Sequence, residues 1–193
     1  MPELPEVETV RLALDKIVNN ALIKKIEILR YDLRWTVKRS LKINLEKDTF
    51  KKPFRMGKYI LIPTVKNNIL LIHLGMSGQI KIQKENHLKS KHDHIDIVVQ
   101  TDNNLTYSIT YNDPRRFGFV DFFNKKDIYH HFLLKKLGIE ALSKELTESK
   151  LKSLLNNRKK SIKNILIDQS VIAGIGNIYA SEILYRAKIH PKR

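Results

Sequence analysis

The sequence contains no cysteine. A disulfide framework and a zinc site with cysteine ligands are therefore excluded within its 193 residues. It also lacks any apolar run that approaches the roughly 18 residues needed to span a membrane. The start, Met1 to Pro5, has neither the basic nor the apolar region of a secretory signal peptide. We therefore expect a cytoplasmic protein with no membrane partner.

Acidic residues are scarce. The chain has 20 Asp and Glu against 36 Lys and Arg, which gives a formal net charge of +16 at pH 7. Such an excess predicts attraction to a polyanion, with nucleic acid as the first choice and an anionic membrane surface as the second. The alternative is a Lys-rich soluble protein from an AT-rich genome, because Asn, Ile and Lys are all abundant.

The first two thirds of the chain read as one helix followed by strands. Val7, Val10, Leu14 and Ile17 recur at helical spacing, so a helix is predicted over residues 6–18, starting near Pro5. The residues between 83 and 93 are polar and Lys-rich, which predicts a mobile loop. Short segments predicted as strands are 22–30, 33–38, 41–46, 48–54, the hairpin 59–63 with 69–74, the hairpin 94–100 with 105–111, and 117–123.

From about Lys125 the pattern becomes helical. We predict helices over residues 128–137, 147–155, 161–168 and 178–186, the second with Thr147 as its N-terminal cap. A tight turn at 174–177 precedes the last of them. The chain is therefore predicted as an α+β protein with a β-rich domain over residues 1–130 and a helical domain over residues 131–193.

The N-terminus carries a chemical possibility. Removal of Met1, which a small second residue permits, would leave Pro2 as a free secondary amine. Such an amine can attack an aldehyde-like carbon and form an iminium ion. Glu3 is adjacent and could move protons. A motif this short is weak evidence, and from these residues alone an ordinary protein start is the favoured explanation.

Longer strings give the sequence a family resemblance. They are Pro2–Val10 (PELPEVETV), Met56–Tyr59 (MGKY), His73–Gly78 (HLGMSG), Asn112–Gly118 (NDPRRFG) and Asp168–Glu182 (DQSVIAGIGNIYASE). In this order they resemble formamidopyrimidine-DNA glycosylase, the bacterial 8-oxoguanine DNA glycosylase and AP lyase. The resemblance implies an N-terminal helix with an antiparallel β-sandwich, followed by a partial helix–two-turn–helix domain. Leu4 and Pro5 favour this branch over the related endonuclease VIII branch.

The resemblance also implies the reaction and its residues. The function expected is excision of oxidised purines from double-stranded DNA, followed by strand cleavage at the abasic site. Pro2 corresponds to the nucleophile that attacks C1′, and Glu3 to the acid/base. Lys58 corresponds to the lysine that donates a proton during β-elimination and contacts phosphate.

A base inside the stack cannot be attacked, so it must be flipped out and its space filled. Met76, Arg115 and Phe117 correspond to the family's wedge: an apolar filler, a donor for the orphaned base and an aromatic ring. The alternative is that Met76 and Phe117 are ordinary core residues.

Further DNA contacts follow from the same resemblance. Asn177 corresponds to the asparagine that holds phosphate beside the lesion, and His92 to a DNA contact. Arg158 and Lys163 belong to a basic run that should add phosphate contacts, although a solvated helix face explains part of it. We expect His94 to be structural.

The family continues past the position of Pro191 with more helices and a four-cysteine finger that binds one Zn²⁺. With no cysteine, we expect these residues to hold no metal. Without the finger, we expect the covalent chemistry to be retained and DNA binding to be weakened. Alternatives are therefore a DNA-binding remnant without turnover and, less favoured, an RNA-associated basic protein. We expect a monomer.

Overall fold

The fold was analysed in a computed structural model that describes residues 2–85, 87–156 and 158–193. The first helix, α1, spans Leu4–Val18 and confirms the predicted one. Pro5 lies in its first turn, where a proline costs no hydrogen bond. Glu3 and Glu6 form a reciprocal capping box, with the Glu3 backbone N–H donating to Glu6 at 2.8 Å. The start of α1 is therefore rigid.

Eight strands and one short helix follow. In chain order they are β1 Leu22–Ile28, α2 Ser40–Leu45, β2 Phe54–Met56, β3 Tyr59–Pro63, β4 Asn68–His73, β5 Gln79–Lys84, β6 Asp93–Gln100, β7 Thr106–Asn112 and β8 Phe119–Asn124. The strands form two four-stranded sheets in the orders β1-β6-β7-β5 and β2-β3-β4-β8, and all pairings are antiparallel. Both predicted hairpins, β3–β4 and β6–β7, are confirmed.

One apolar cluster joins the two sheets. Leu14 of α1, Ile97 of β6 and Leu70 of β4 all belong to it, so the sheets pack face to face as a sandwich with α1 against it. Strand β4 is buried on its other face too, where Ile69 and Leu71 pack in a second cluster with Phe123 and Leu134. Burial on both faces explains why this strand is an uninterrupted apolar run.

The second part of the chain is helical around a two-stranded parallel sheet. Its elements are β9 Ile139–Glu140, α3 Glu148–Leu155, α4 Ile162–Leu166, β10 Ile172–Ala173 and α5 Asn177–Arg186. Thr147 caps α3 as predicted, accepting the Lys150 backbone N–H at 3.2 Å. Ile165, Leu166, Ile172 and Leu184 are central to its own core. Within the described part of the chain, no helix is long and apolar enough to cross a membrane.

Several local predictions were wrong. Residues 41–46, predicted as a strand, lie largely in α2, because Leu41 and Leu45 are both buried at helical spacing. Residues 33–38 form no strand, and in 48–54 only Phe54 belongs to one. The helix predicted over 128–137 is replaced by 3₁₀ turns at Lys125–Asp127 and Leu134–Lys136.

Tertiary contacts explain the last of these differences. His131 is buried against Asp121 and Phe123 of β8, while Phe132 packs on Trp35. These contacts outweigh the local helical pattern. The predicted loop over 83–93 begins late, since β5 extends to Lys84, and residue 86 lies outside the described residues.

Candidate active site and nucleic-acid interface

The Glu3 carboxylate is buried between the two parts of the chain and is only 1% exposed. It accepts backbone N–H bonds from Gly176 at 2.8 Å, Ile178 at 2.8 Å and Tyr179 at 3.2 Å, at the N-terminus of α5. This is the helix end that favours negative charge. Pro2, the half-buried neighbour of Glu3, is thereby held close to the start of α5.

Two glycines make this close approach possible. Gly174 has φ +104°, and its carbonyl accepts the backbone N–H of Leu4 at 3.1 Å. A Cβ on Gly176 would lie 2.4 Å from the Glu3 carboxyl carbon. The turn between β10 and α5 therefore needs glycine to bring its backbone onto the N-terminal residues.

Lys58 stands in the turn between β2 and β3. Gly57, with φ +56°, precedes it, and Met56 pairs with Tyr59 across the turn. Glycine with positive φ at the first central position is the pattern of a type II′ hairpin turn. The turn places Lys58 in the interior, where it is 6% exposed.

The charge of Lys58 is tuned by its surroundings. Burial lowers the pKa of its ammonium group, and the carboxylates of Glu3 and Glu6 partly oppose that shift. The structure thus brings Lys58 into the electrostatic neighbourhood of Glu3, although 55 positions separate them in the chain. Pro2, Glu3 and Lys58 therefore belong to one region.

A cleft of about 800 Å³ contains the three predicted wedge residues. Met76 is 43% exposed and Phe117 is 45% exposed, so the alternative that they are core residues is wrong. The guanidinium of Arg115 lies 4.6 Å from the centre of the Phe117 ring, a cation–π distance. Three side chains from two loops therefore project together into solvent.

Asp113 organises both wedge loops and was missed by the sequence analysis. Its carboxylate is fully buried and accepts the Ser77 hydroxyl at 2.5 Å, the Gly118 N–H at 2.8 Å and the Arg115 N–H at 3.3 Å. Its position inside the Asn112–Gly118 motif, between a strand and an arginine pair, is the signal that could have identified it.

His73 was also missed, and it connects the cleft to Lys58. It lines the cleft, and on β4 it pairs with Tyr59, the neighbour of Lys58. Burial lowers the His73 pKa and the positive charges of Arg34 and Lys58 add to that shift, so that the pKa falls to about 4. The Nδ1 atom accepts the Gly75 N–H at 3.1 Å, which requires that nitrogen to be unprotonated.

The remaining predicted DNA contacts fall into two groups. Lys163 donates to the Ser181 hydroxyl at 2.9 Å, which places it beside the helix that begins at the exposed Asn177. Arg158 follows α3, is exposed and donates to the Leu154 carbonyl of that helix. The Arg158 contact is with the end of α3, whereas Lys163 reaches α5.

The two histidines lie near the wedge. The carbonyl of the half-buried His92 accepts the Asp113 N–H at 3.1 Å. His94 is buried, and its Nε2 lies 2.8 Å from the Asp113 carbonyl, as befits a structural residue.

The described residues offer no metal site. No three His, Asp or Glu side chains come together in residues 2–85, 87–156 and 158–193, and the sequence contains no cysteine. These residues therefore cannot supply the four cysteine ligands that bind zinc in the family that the sequence resembles.

Comparisons with known proteins agree with this geometry. Residues 1–120 match the formamidopyrimidine-DNA glycosylase N-terminal domain, and residues 137–193 match the H2TH domain of the same enzymes. Relatives named formamidopyrimidine-DNA glycosylase from Bartonella quintana and Rickettsia bellii are 42% and 39% identical. All of this chain aligns with each of them, and it covers 69% of each relative.

Solved structures agree as well. A Lactococcus lactis formamidopyrimidine-DNA glycosylase bound non-covalently to AP-site-containing DNA has a TM-score of 0.90 at 32% identity. This comparison covers all of the present chain and 72% of the other. A second complex of the Lactococcus lactis protein, with abasic-site DNA, has a TM-score of 0.89 and is covered over 69% of its chain.

The fold and the comparisons thus define a homologue of the DNA glycosylases that join a β-sandwich to a helix–two-turn–helix domain. Within that class, the chain belongs to the formamidopyrimidine-DNA glycosylase family.

Proposed function

We propose that this chain is a bifunctional DNA repair enzyme. It excises oxidised purines, namely 8-oxoguanine and formamidopyrimidines, from double-stranded DNA and then cleaves the strand at the abasic site. One observation carries the proposal. Glu3, the chain neighbour of Pro2, is held at the α5 N-terminus and lies in the electrostatic neighbourhood of the buried Lys58. We place the boundary between the two domains near residue 130.

The chemistry begins at the amine of Pro2. Its lone pair attacks C1′ of the damaged nucleotide, the bond from C1′ to the base breaks, and the base leaves with a proton. Opening of the sugar ring gives an iminium between the proline nitrogen and C1′. Glu3, fixed by its three N–H donors, assists ring opening and proton transfer. Met1, whose removal frees the amine, lies outside the described residues.

Strand cleavage follows as an elimination. The iminium acidifies the C2′ hydrogen, which leaves as a proton while the 3′ phosphate departs. Lys58 donates a proton in this step and contacts a phosphate. Burial lowers the pKa of Lys58, which brings a lysine towards the range where it exchanges protons efficiently near neutral pH. Water then hydrolyses the iminium and releases Pro2.

The cleft supplies the second requirement, which is access to the base. Met76, Arg115 and Phe117 enter the space that the flipped nucleotide leaves, and Arg115 donates to the orphaned partner base. Asn177, Lys163 and Arg158 contact phosphates, and His92 makes a further contact with the DNA. The net charge of +16 supports a strong, salt-sensitive affinity for the duplex.

Borohydride trapping on a duplex with one abasic site tests the proposal. The wild-type protein, with its N-terminal residue verified as proline, should form a covalent adduct after reduction. Pro2→Gly should lose most of the adduct, while Pro191→Gly, at an exposed proline, serves as the control.

If the wild type with a free Pro2 amine forms no adduct, the proposed enzymatic function is wrong. Two other outcomes separate the alternatives. Salt-sensitive duplex binding without an adduct would indicate a DNA-binding protein without turnover. A preference for RNA, unaffected by an abasic site, would indicate an RNA-associated protein.

A further inference from the structure

A partly buried ion pair between Arg55 and Glu140 holds the turn that carries Lys58. The backbone N–H of Gly57 donates to the carboxylate of Glu140, which also accepts from the guanidinium of Arg55 at 2.7 Å. The same Arg55 nitrogen donates to the Gly57 carbonyl at 2.7 Å. Both backbone polar groups of the residue preceding Lys58 are therefore held, one by Glu140 and one by its partner.

This ion pair is itself supported from the first helix. Arg55 Nε donates to Glu8 at 3.2 Å, and Glu8 also accepts from Arg11 at 2.9 Å. The Arg55 side chain is mostly buried, so these pairs are less screened than surface ion pairs. Glu140 is thus the only member of this chain of charges that comes from the second part of the protein.

The position of Glu140 in the fold links the Lys58 turn to the N-terminal residues. Glu140 lies on β9 and pairs with Ala173 of β10. Ala173 packs against the Gly57 turn, where a Cβ on Gly57 would lie 3.4 Å from the Ala173 Cβ. Immediately after Ala173, Gly174 and Gly176 contact Leu4 and Glu3. One two-stranded sheet therefore touches both the Lys58 turn and the N-terminal residues.

We infer that Glu140 is a positioning residue for Lys58. Its carboxylate fixes the Lys58 turn on the same small sheet that places Glu3, and so sets the distance between the elimination lysine and the nucleophile. The inference rests on the proposed function. A misplacement of about 1 Å between reacting groups can cost about 100-fold in rate. Glu140 touches the turn backbone and not the Lys58 ammonium, so it acts through geometry.

Two variants distinguish the effect of the length of the Glu140 side chain from the effect of its charge. Glu140→Asp keeps the charge but is one methylene too short to reach the Gly57 N–H. Glu140→Gln keeps the reach and an acceptor oxygen but loses the charge. The readout is the rate of strand cleavage at an abasic site divided by the rate of borohydride-trapped adduct formation, measured on the full chain.

We expect Glu140→Asp to lower this ratio by about tenfold or more, because elimination needs Lys58 in place and trapping needs only Pro2. Glu140→Gln should recover most of the ratio. Glu145→Asp makes the same change at an exposed position five residues along the chain and should match the wild type. Thermal melting establishes that each variant is folded.

The outcomes distinguish this inference from the proposed function. If the wild type forms no adduct, the proposed function is wrong, and this is known before any variant is compared. A wild type that traps and cleaves, with an unchanged ratio in Glu140→Asp, overturns the positioning role alone, and so does a proportional fall in both steps. If Glu140→Asp does not fold, Arg55→Gln, which removes the partner of Glu140, gives the same readout, and an unchanged ratio there overturns the inference.

Discussion

The Gly176 backbone N–H lies 2.8 Å from the Glu3 carboxylate, although 173 residues separate the two in the chain. The contact joins the first turn of the N-terminal domain to the start of α5, and Ile178 and Tyr179 add two further donors. A buried carboxylate that accepts three N–H groups has little freedom to move. The N-terminus is thus held by the helical domain and not by its own sandwich alone.

Substitution Gly176→Ala should break this contact. The new Cβ would lie 2.4 Å from the Glu3 carboxyl carbon, so the carboxylate must leave its donors. Leaving buried N–H groups without partners costs about 1–3 kcal/mol, and the free energy of unfolding in urea should fall by that amount. Tyr185→Ala, at an exposed position of the same helix, should change it by less than about 0.5 kcal/mol. Equal stability of both variants would contradict the prediction.

Asp113→Asn should weaken both stability and duplex binding. An amide presents N–H hydrogens to one of the groups that now donate to the carboxylate, namely Ser77, Arg115 and Gly118. We expect a loss of about 1–3 kcal/mol in urea unfolding and a lower affinity for abasic-site DNA, because the wedge loops lose their common anchor. Asp102→Asn, in the exposed β6–β7 turn, is the matched control. Unchanged binding by folded Asp113→Asn would rule out the anchoring role.

Lys58→Met should preserve or raise stability while strand cleavage falls by about 100-fold or more. Burial lowers the Lys58 pKa below its ordinary value of 10.5, so the folded protein releases this proton at lower pH than the unfolded chain. Between the two pKa values the unfolded chain binds more protons, and wild-type stability gains from rising pH in that window. Lys58→Met lacks this gain.

Urea unfolding at about pH 7.5 and about pH 10 measures the difference. The stability of the wild type relative to Lys58→Met should increase at the higher pH. Lys144→Met, at an exposed lysine, should show no such change. A relative stability that is constant with pH would mean that Lys58 is not desolvated in the folded protein.

Acidification should destabilise the protein through His73. Its pKa falls from the ordinary 6.5 to about 4 on folding, because the ring is buried and faces Arg34 and Lys58. Between these values the unfolded chain binds the proton and the folded protein does not, so stability decreases as pH falls through that window. The full effect is roughly 3 kcal/mol, and it is complete below the folded pKa.

The comparison with His73→Asn isolates this contribution. Asparagine does not titrate, so the variant should lose less stability than the wild type between about pH 7 and about pH 5. His130→Asn, at an exposed histidine, should follow the wild-type curve. Parallel curves for wild type and His73→Asn would show that His73 is not the group responsible.

The local sequence pattern was enough to predict those elements whose spacing of apolar, turn and capping residues is itself typical of a helix or a hairpin. Pro5 and the spacing of Val7 and Leu14 predicted α1, alternation and turn residues predicted the β3–β4 and β6–β7 hairpins, and Thr147 predicted its own cap. Around His131 the pattern failed because contacts with β8 decide the backbone. At α2 the strand prediction overlooked the helical spacing of Leu41 and Leu45.

The sequence by itself determined the family, through its ordered motifs, and with it Pro2, Glu3 and Lys58 as candidate reacting groups and Met76, Arg115 and Phe117 as a candidate wedge. Only the tertiary structure decided what holds these groups. Glu3 at the α5 N-terminus, Asp113 between the wedge loops and Glu140 on the Lys58 turn all bind backbone N–H groups. Every residue except proline carries such a group, so side-chain identities along a sequence cannot reveal which distant backbone a carboxylate will meet.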